Sequence, residues 1–218
     1  MATELEMRAV AEIIYPIRSP CIVELGAHTG EDEGWLRAAC REDVHYVMVE
    51  PDIRNAQLII NGGLTRTRRL IVAAITERDG DDVEFHGSVD ATRQVRGSGS
   101  IRPPKEHERL FPNIAFPADR KTMVPALTLD TLFEREWLTK IDLLWADLQG
   151  AEKDMILGGR NALSHTRYLF IETEDRELYE GMALKPELLG MLEGWTLIGD
   201  FGYNCLLRNE RFKERAPR

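Results

Sequence analysis

Residues 21–30 read CIVELGAHTG, and residues 46–51 read YVMVEP. Each stretch is an apolar run that ends in a carboxylate, and the first run continues into a loop that holds Gly26 and Gly30. A strand followed by a glycine turn and a helix brings backbone N–H groups and a helix N-terminus close to a ligand. The second carboxylate, Glu50, then lies about one strand away and suits the two hydroxyl groups of a ribose. Together these features predict a nucleoside site at the mouth of a parallel sheet.

The spacing of the glycines favours one kind of nucleoside. Dinucleotide enzymes use the pattern G-x-G-x-x-G, in which the middle glycine lets the backbone approach a pyrophosphate. His28 occupies that position here. Its β-carbon and imidazole would crowd a pyrophosphate, but they are tolerable beside a cofactor without phosphates. The loop therefore favours S-adenosylmethionine over NAD and disfavours a nicotinamide-dependent oxidoreductase.

Length and composition restrict the possible classes of protein. With 218 residues and 43% hydrophobic content, we expect one domain over residues 1–218. A net charge of −9 disfavours a general nucleic-acid binder. Cys21, Cys40 and Cys205 lie far apart without C-x-x-C spacing, which predicts reduced thiols in a cytoplasmic protein. We expect neither a signal peptide nor a membrane span, because no apolar run approaches ~20 residues.

Apolar runs alternate with helix-like segments along the chain. The predicted strands cover residues 20–25, 44–49, 69–75, 83–85, 141–146 and 168–171, and a closing hairpin covers 195–198 and 204–207. The predicted helices cover about 4–15, 29–40, 52–61, 127–138, 151–157 and 186–192. This alternation predicts an α/β fold, in which a parallel sheet has helices on both faces and the hairpin adds an antiparallel edge.

Carboxylates stand where most of these strands end. They are Glu24, Glu50, Asp147, Glu172 and Glu174. Ligands of open α/β sheets bind beyond the carboxyl ends of the strands. We therefore expect these side chains at one edge of the sheet, facing the site.

Residues 86–124 interrupt the alternation and read as a long irregular insert rich in Gly, Ser, Pro and Arg. The insert carries seven basic residues against four acidic ones, while the rest of the chain is acidic; the basic residues are Arg93, Arg96, Arg102, Lys105, Arg109, Arg120 and Lys121. Long loops in compact domains are usually functional or disordered. A basic insert on an acidic body suits a lid over an anionic acceptor. The alternative is a solvated loop with scattered charge.

Several of these segments together resemble the FkbM-type family of S-adenosylmethionine-dependent methyltransferases. The matching segments are VELGAHTG at 23–30, VEP at 49–51, AAI at 73–75, LTLDTL at 127–132, IDLLWADLQGAE at 141–152 and FIE at 170–172. Their order and spacing cover roughly residues 20–175. The resemblance implies a class I methyltransferase (Rossmann-like) fold with a seven-stranded, mostly parallel sheet. It also implies O-methylation of a hydroxyl on a small sugar-like or natural-product acceptor.

The chain departs from the family pattern at three positions. The family usually has Asn where His28 stands, and often Lys and Glu where Trp145 and Gln149 stand, and Gln at position 149 also occurs within the family's range. Loss of the lysine removes one candidate charge near the site.

The resemblance also implies which residues bind the cofactor. The expected contacts come from the glycine turn and from the ends of the next strands: Glu24, Gly26, Ala27, His28, Thr29, Gly30, Glu50, Pro51, Ala74 and Asp147. The glycines could instead serve only turn and packing, and Glu50 could be a solvated carboxylate at a helix start.

Asp147, Glu172 and His28 are the candidate catalytic residues, since a carboxylate or imidazole could accept the proton of a hydroxyl acceptor. Asp147 could instead cap the helix that follows it. Glu172 and Glu174 could be solvated, and His28 could serve to shape the loop. The carboxylates at 147, 172 and 174 could also gather a divalent cation, but the histidines show no paired ligand spacing, so we expect no metal.

A different class of function also stays open. A non-catalytic module that binds an adenosyl ligand would share the cofactor site but lack an acceptor pocket. The apolar residues Trp145 and Ala146 in place of more polar neighbours would suit that alternative.

Overall fold

Strands and helices alternate along most of the chain. The structure is a computed structural model that describes residues 2–92 and 94–215. The strands are β1 (Cys21–Leu25), β2 (His45–Val49), β3 (Arg68–Ile71), β4 (Ala74–Ile75), β5 (Val83–Asp90), β6 (Val95–Ser100), β7 (Ile114–Ala115), β8 (Lys121–Val124), β9 (Ala126–Leu127), β10 (Ile141–Ala146), β11 (Thr166–Glu172), β12 (Trp195–Asp200) and β13 (Asn204–Asn209). The helices are α1 (Glu4–Ile14), α2 (Glu33–Ala39), α3 (Ile53–Asn61), α4 (His107–Leu110), α5 (Leu129–Arg135), α6 (Glu152–Leu157), α7 (Arg160–Ser164) and α8 (Lys185–Met191), with a short 3-10 helix at Ala118–Arg120.

Seven strands form the central sheet in the order β12-β13-β11-β10-β1-β2-β3. Strands β3, β2, β1, β10 and β11 run parallel, whereas β13 pairs antiparallel with both β11 and β12. β1 and β10 are buried along their whole length, as expected for parallel strands covered on both faces. The seven-stranded, mostly parallel sheet with an antiparallel C-terminal hairpin is confirmed.

Helices cover both faces of this sheet. Val10 of α1, Leu36 of α2 and Ile59 of α3 pack on one face. Phe133 of α5 and Met155 of α6 pack on the opposite face. All five side chains are essentially inaccessible to solvent, and burying each contributes roughly 2 kcal/mol. No helix within the described ranges is long and apolar enough to cross a membrane.

The loop after β1 is longer than predicted, so α2 begins later in the chain. The prediction placed a helix from residue 29, but α2 begins at Glu33 and has Asp32 at its N-cap position. His28 and Gly30 both have positive φ, at 47° and 80°. Such backbone cannot start a right-handed helix, so the turn runs on to Asp32.

The predicted third strand is split into two pieces. β3 forms the edge of the central sheet as far as Ile71. β4 then leaves this sheet and pairs in parallel with β9. Residues 69–75 are apolar enough for one strand, but the tertiary partner changes partway along.

The prediction of an irregular segment at 86–124 is wrong. β5 pairs antiparallel with β6, β7 and β8, which makes a small second sheet. Phe85 and Val124 pack with Ala74 beneath it. Glycine and serine have low strand propensity, so β6 is stabilised by its pairing with β5 and not by its own composition. Arg93 and the side chain of Arg96 lie outside the described residues.

Candidate functional site

A cleft with about 570 Å³ of empty space opens at the carboxyl ends of β1, β2, β4 and β10. One wall comes from these strand ends, including Gly26, Glu50, Ala74 and Asp147. The opposite wall comes from β5 and β6 of the small sheet, including Gly99. The insert therefore covers the edge of the sheet where the sequence placed a nucleoside site.

Gly26 is required by the close approach of two loops. Its φ is +82°, and a β-carbon there would lie 1.9 Å from the carbonyl oxygen of Asp147. The Asp147 N–H also donates to the Leu25 carbonyl at 3.0 Å. At Gly30 the requirement for glycine comes from the backbone, whose φ is +80°. A β-carbon there would lie 3.5 Å from its nearest neighbour, a side-chain atom of Ile59, which is an ordinary contact distance. The glycine turn thus presses the end of β1 against the end of β10.

The N–H groups of this turn are engaged within the protein. Gly26 and Ala27 both donate to the Val49 carbonyl, at 2.9 and 3.0 Å. Gly30 donates to the Ala27 carbonyl, and His28 donates to a Glu50 oxygen at 2.8 Å. The N–H groups of Gly26, Ala27, His28 and Gly30 thus have acceptors within the protein, and the predicted contact of this turn with a ligand stays a prediction. A turn whose donors are already engaged offers little to a pyrophosphate, whose binding requires free N–H groups.

His28 adopts a left-handed backbone conformation with φ 47°. Asn and His are among the side chains that tolerate this region best, which accounts for His at a position where the related family usually has Asn. Its Nδ1 lies 3.3 Å from Glu31 Oε1, and a β-carbon at Gly97 of β6 would lie 3.8 Å from its ring. Its Nε2 is buried without a hydrogen-bond partner. These contacts support a role for the imidazole in shaping the turn.

Glu50 projects into the cleft from the end of β2 and is 4% exposed. Its two oxygens accept from the N–H of His28, the N–H of Asp52 and the side-chain amide of Asn55, at 2.8, 2.9 and 3.2 Å. Burial raises the pKa of this carboxyl to about 7, against these donors. These three donors occupy three of about four acceptor positions on the carboxylate, so one position is left for a further donor.

The neighbouring walls of the cleft are largely apolar. Ala73, Ala74 and Ile75 line one side, and Phe85 and Ile101 line the other. A flat aromatic group could bury its two faces between these walls, because ligand pockets are mostly lined by apolar side chains.

Four of the predicted cofactor residues, Glu24, Ala27, Thr29 and Gly30, do not line the cleft. The Glu24 carboxyl accepts from the Tyr46 hydroxyl at 2.8 Å, and burial raises its pKa to about 8. Ala27 packs in the apolar cluster beneath α1 and α2. The Thr29 hydroxyl donates to Glu31 at 3.1 Å. In contrast, Gly26, His28, Glu50, Pro51, Ala74 and Asp147 all line the cleft.

Asp147 and Glu172 come together at the ends of β10 and β11. The side-chain amide nitrogen of Gln149 lies 2.6 Å from Asp147 Oδ1 and 2.8 Å from Glu172 Oε2. Burial is the largest cause that raises the pKa of both carboxyls, and the charge of Asp147 raises that of Glu172 further. The two carboxyls also hydrogen-bond each other. Glu172 therefore retains a proton when Asp147 is ionised.

Sequence reasoning missed two residues of this group. Gln149 follows Asp147 closely, but only the structure shows that its φ is 51° and that its amide reaches both carboxyls. The Tyr179 hydroxyl lies 2.7 Å from Gln149 Oε1. No signal in the sequence around Tyr179 marks it, because it comes from a loop 30 residues further along.

The carboxyl group of Glu152 shapes the same loop from inside α6. It accepts from the N–H of Leu148 at 2.9 Å and from that of Gly150 at 3.4 Å, and burial raises its pKa to about 7. Asp147 makes no cap for α6, which has Ala151 at its N-cap position. In the part of the chain that the structure describes, no group of three or more His, Cys, Asp or Glu side chains is arranged to hold a metal ion.

Basic side chains of the insert are largely engaged in ion pairs. Arg102 pairs with Asp154, and Lys105 pairs with Glu177. The remaining pairs are Arg109 with Glu106 and Lys121 with Glu84. These contacts leave less positive charge for an acceptor than the composition of the insert suggests.

Comparisons with known proteins agree with this architecture. Residues 24–204 match the methyltransferase FkbM domain. The 2-O-methyltransferase NoeI of Sinorhizobium fredii (strain NBRC 101917 / NGR234) is 34% identical over 200 residues, which is 88% of this chain and 80% of that protein. The crystal structure of methyltransferase FkbM from Methylobacillus flagellatus KT has a TM-score of 0.53 and 15% identity, and covers 91% of this chain. This chain spans 47% of that one, and at this identity the likeness concerns the fold alone.

The fold of this chain is therefore that of the class I methyltransferases, as the sequence indicated. The domain match extends over most of the chain, from β1 to the start of β13. The 34% identity to NoeI extends over 88% of the chain. The chain belongs to the FkbM methyltransferase family and is a methyltransferase.

Proposed function

We propose that this methyltransferase uses S-adenosylmethionine to methylate a hydroxyl oxygen on a small sugar-like or natural-product acceptor. The observation that supports the cofactor best is Glu50, a buried carboxylate at the end of β2 that lines the cleft beside a glycine turn whose N–H groups at Gly26, Ala27, His28 and Gly30 are engaged within the protein. The relative NoeI is named a 2-O-methyltransferase, which supports a hydroxyl as the acceptor.

The residues of the cleft fit this cofactor. Glu50 would accept a hydrogen bond from one ribose hydroxyl at its remaining acceptor position, and Pro51 would border the ribose. Ala74, Ile75 and Phe85 would cover the faces of the adenine. Gly26 and Asp147 would border the cofactor together, because both line the cleft. Glu24, Ala27, Thr29 and Gly30 would contribute by holding the turn from behind.

When bound, S-adenosylmethionine supplies a methyl group on a positively charged sulfur. The protein contributes alignment, which is worth several kcal/mol in bimolecular reactions, and excludes water beneath β5 and β6, which act as a lid. The pair of Asp147 and Glu172 accepts the proton that the acceptor hydroxyl releases. Asp147 is the ionised member and so the base, while Glu172 carries the shared proton. His28 holds the turn.

The charge of the acceptor remains a prediction. The composition of the insert suggested an anionic acceptor, but the ion pairs of Arg102 and Lys105 are directed at the protein itself. No Lys, Arg or His side chain among the described residues forms an ion pair with Asp147 or Glu172. The carboxyl pair therefore favours an uncharged hydroxyl compound over an anion at the position where the methyl group is transferred.

Two measurements test the proposal. Isothermal titration with S-adenosylhomocysteine is expected to show binding, and Glu50→Ala should weaken it roughly 10- to 100-fold, since a hydrogen bond to a charged group is worth ~1.5–3 kcal/mol. Glu12→Ala is the matched control, because Glu12 is exposed and pairs only with Arg8. Affinity that is unchanged in Glu50→Ala would contradict the cofactor site.

Transfer of a radioactive methyl group from S-adenosylmethionine to a panel of simple methyl hexopyranosides and glycosylated polyketides tests the reaction. Incorporation that is lost in Asp147→Asn and kept in Glu12→Ala supports methylation of a hydroxyl. Binding of S-adenosylhomocysteine without transfer to any acceptor would favour the non-catalytic adenosyl-binding module instead.

A further inference from the structure

The Gln149 amide can satisfy its neighbours in only one orientation. Its nitrogen faces Asp147 and Glu172, and its oxygen faces the Tyr179 hydroxyl at 2.7 Å. An ionised carboxylate accepts hydrogen bonds and donates none, whereas a tyrosine hydroxyl can donate one. If the amide turned by 180°, its oxygen would face the carboxyl pair and its nitrogen would lose both acceptors. The ionised carboxylate therefore sets the orientation in which Gln149 donates to the pair, and the Tyr179 hydroxyl stabilises this orientation when its single hydrogen points to Gln149 Oε1 and not to the Ser98 carbonyl.

Residue 149 is also fixed through its backbone. Its φ of 51° lies in the left-handed region, which residues other than glycine, asparagine, aspartate and histidine rarely adopt. The Ser100 hydroxyl of β6 donates to the Gln149 carbonyl at 2.7 Å. A β-carbon at Gly150 would come within 3.2 Å of Tyr179, so the loop and the tyrosine are closely packed. Such local strain persists where the surrounding contacts fix it, and it clusters at functional sites.

Tyr179 itself is held firmly by the insert. It is 1% exposed, its backbone pairs with Pro104, and its ring packs against His107 and Phe116. Its hydroxyl lies 2.9 Å from the Ser98 carbonyl as well as 2.7 Å from Gln149. The insert thereby fixes the hydroxyl that orients the amide.

We propose that Tyr179 is a positioning residue, which holds the Gln149 amide so that its two hydrogens bridge Asp147 and Glu172 and keep Asp147 ionised. The role of the pair as the base rests on the proposed function, but the bridge itself does not. The proposal also accounts for Gln where the related family often has Glu. A third carboxylate between these two would repel both and could not bridge them.

The charges around Asp147 and Glu172 determine whether loss of the Gln149 bridge raises or lowers the pKa of these carboxyls. Asp32, Glu152 and Glu174 face the pair with further negative charge, and burial adds to their effect. All of these favour the protonated forms. The Gln149 amide opposes them, because a donor to a carboxylate lowers the pKa of that carboxyl. Loss of the bridge should therefore raise the pH at which the pair ionises.

Carboxyl carbon NMR of protein labelled with ¹³C-Asp and ¹³C-Glu tests this in the free protein, without an acceptor. The signals of the pair are assigned with Asp147→Asn and Glu172→Gln. Tyr179→Phe keeps the ring and removes the hydroxyl, and it should raise the ionisation midpoint of Asp147 by about one pH unit, the equivalent of one hydrogen bond. Tyr15→Phe is the control, because Tyr15 is 57% exposed and lies at the end of α1.

The double variant separates positioning from packing. Gln149→Leu should raise the midpoint at least as much as Tyr179→Phe, and the combination should equal Gln149→Leu alone, because the tyrosine acts through the amide. A wild-type midpoint in folded Tyr179→Phe, or shifts that add in the double variant, would overturn the proposal. If Tyr179→Phe does not fold, an unchanged midpoint in Gln149→Leu would overturn it equally.

Failure of the proposed function gives a different pattern. The NMR shifts would be present while no acceptor is methylated. If transfer is observed, Tyr179→Phe should move the acid limb of its pH profile upward by the same amount and leave the affinity for S-adenosylhomocysteine unchanged.

Discussion

Gly26→Ala is the sharpest test of how the site is built. The new β-carbon would lie 1.9 Å from the Asp147 carbonyl oxygen, so the ends of β1 and β10 would have to separate by about 1 Å. That movement would break the hydrogen bond from Asp147 N–H to the Leu25 carbonyl. The left-handed φ of +82° adds a further penalty for alanine.

The expected loss of folding stability in Gly26→Ala is the sum of three contributions. The backbone conformation costs about 1 kcal/mol, the hydrogen bond about 1 kcal/mol, and overpacking about 1–3 kcal/mol. We therefore expect Gly26→Ala to lower the free energy of unfolding by roughly 3–5 kcal/mol, which is a large share of the ~5–15 kcal/mol of a typical domain.

Gly63→Ala is a matched control for the backbone term. Its φ is +85°, but a β-carbon there would have no neighbour within 4 Å. This variant should cost about 1 kcal/mol, from the conformation alone. Urea unfolding followed by fluorescence measures both variants, and S-adenosylhomocysteine titration reports the site. Equal losses in the two variants, or wild-type affinity in Gly26→Ala, would refute the close approach of residues 26 and 147.

Other perturbations test the electrostatics and the lid. Since burial raises the pKa of Glu50 to about 7 and a ribose diol donates to the ionised form, affinity for S-adenosylhomocysteine should rise between pH 6 and 8. Titration of Glu50→Gln across that range should show a weak and nearly flat affinity. Burial raises the pKa of Glu24 from 4.5 to about 8, so the native state binds an extra proton between these values and loses stability as pH rises through them. Glu24→Gln should therefore raise the free energy of unfolding at pH 8 by on the order of 2 kcal/mol and flatten its pH dependence in urea titrations. A β-carbon at Gly99 would lie 2.5 Å from the Phe85 ring, so Gly99→Ala should push that ring into the cleft and weaken S-adenosylhomocysteine binding about tenfold, equivalent to ~1.4 kcal/mol. Gly80→Ala, with no neighbour within 4 Å, should bind as the wild type, and equal affinity in both variants would contradict the lid.

Periodicity and strand-end carboxylates predicted the central sheet well. The apolar runs at 21–25 and 141–146 are buried along their length, so the sequence alone marks them as central parallel strands. Glu50 and Asp147 could be placed in the cleft because parallel strands present their carboxyl ends on one edge. Glu24 could not, because the residue at the end of a strand faces one side of the sheet or the other, and here it faces Tyr46.

The local composition of the insert does not reveal its strands. Gly97 and Gly99 suggest a loop, but pairing of β6 with β5 makes a strand whose missing side chains leave room in the cleft. The backbone of β5 is the partner that offsets the low strand propensity of glycine. The composition of a segment does not show which other strand it pairs with.

The sequence by itself determined the α/β alternation, the glycine turn and the carboxylate at the end of β2, because each depends on residues close together in the chain. Only the tertiary structure decided that Gln149 and Tyr179 join Asp147 and Glu172. These four residues come from three separate segments, and hydrogen bonds between them depend on distances of 2.6–2.8 Å that no local pattern encodes.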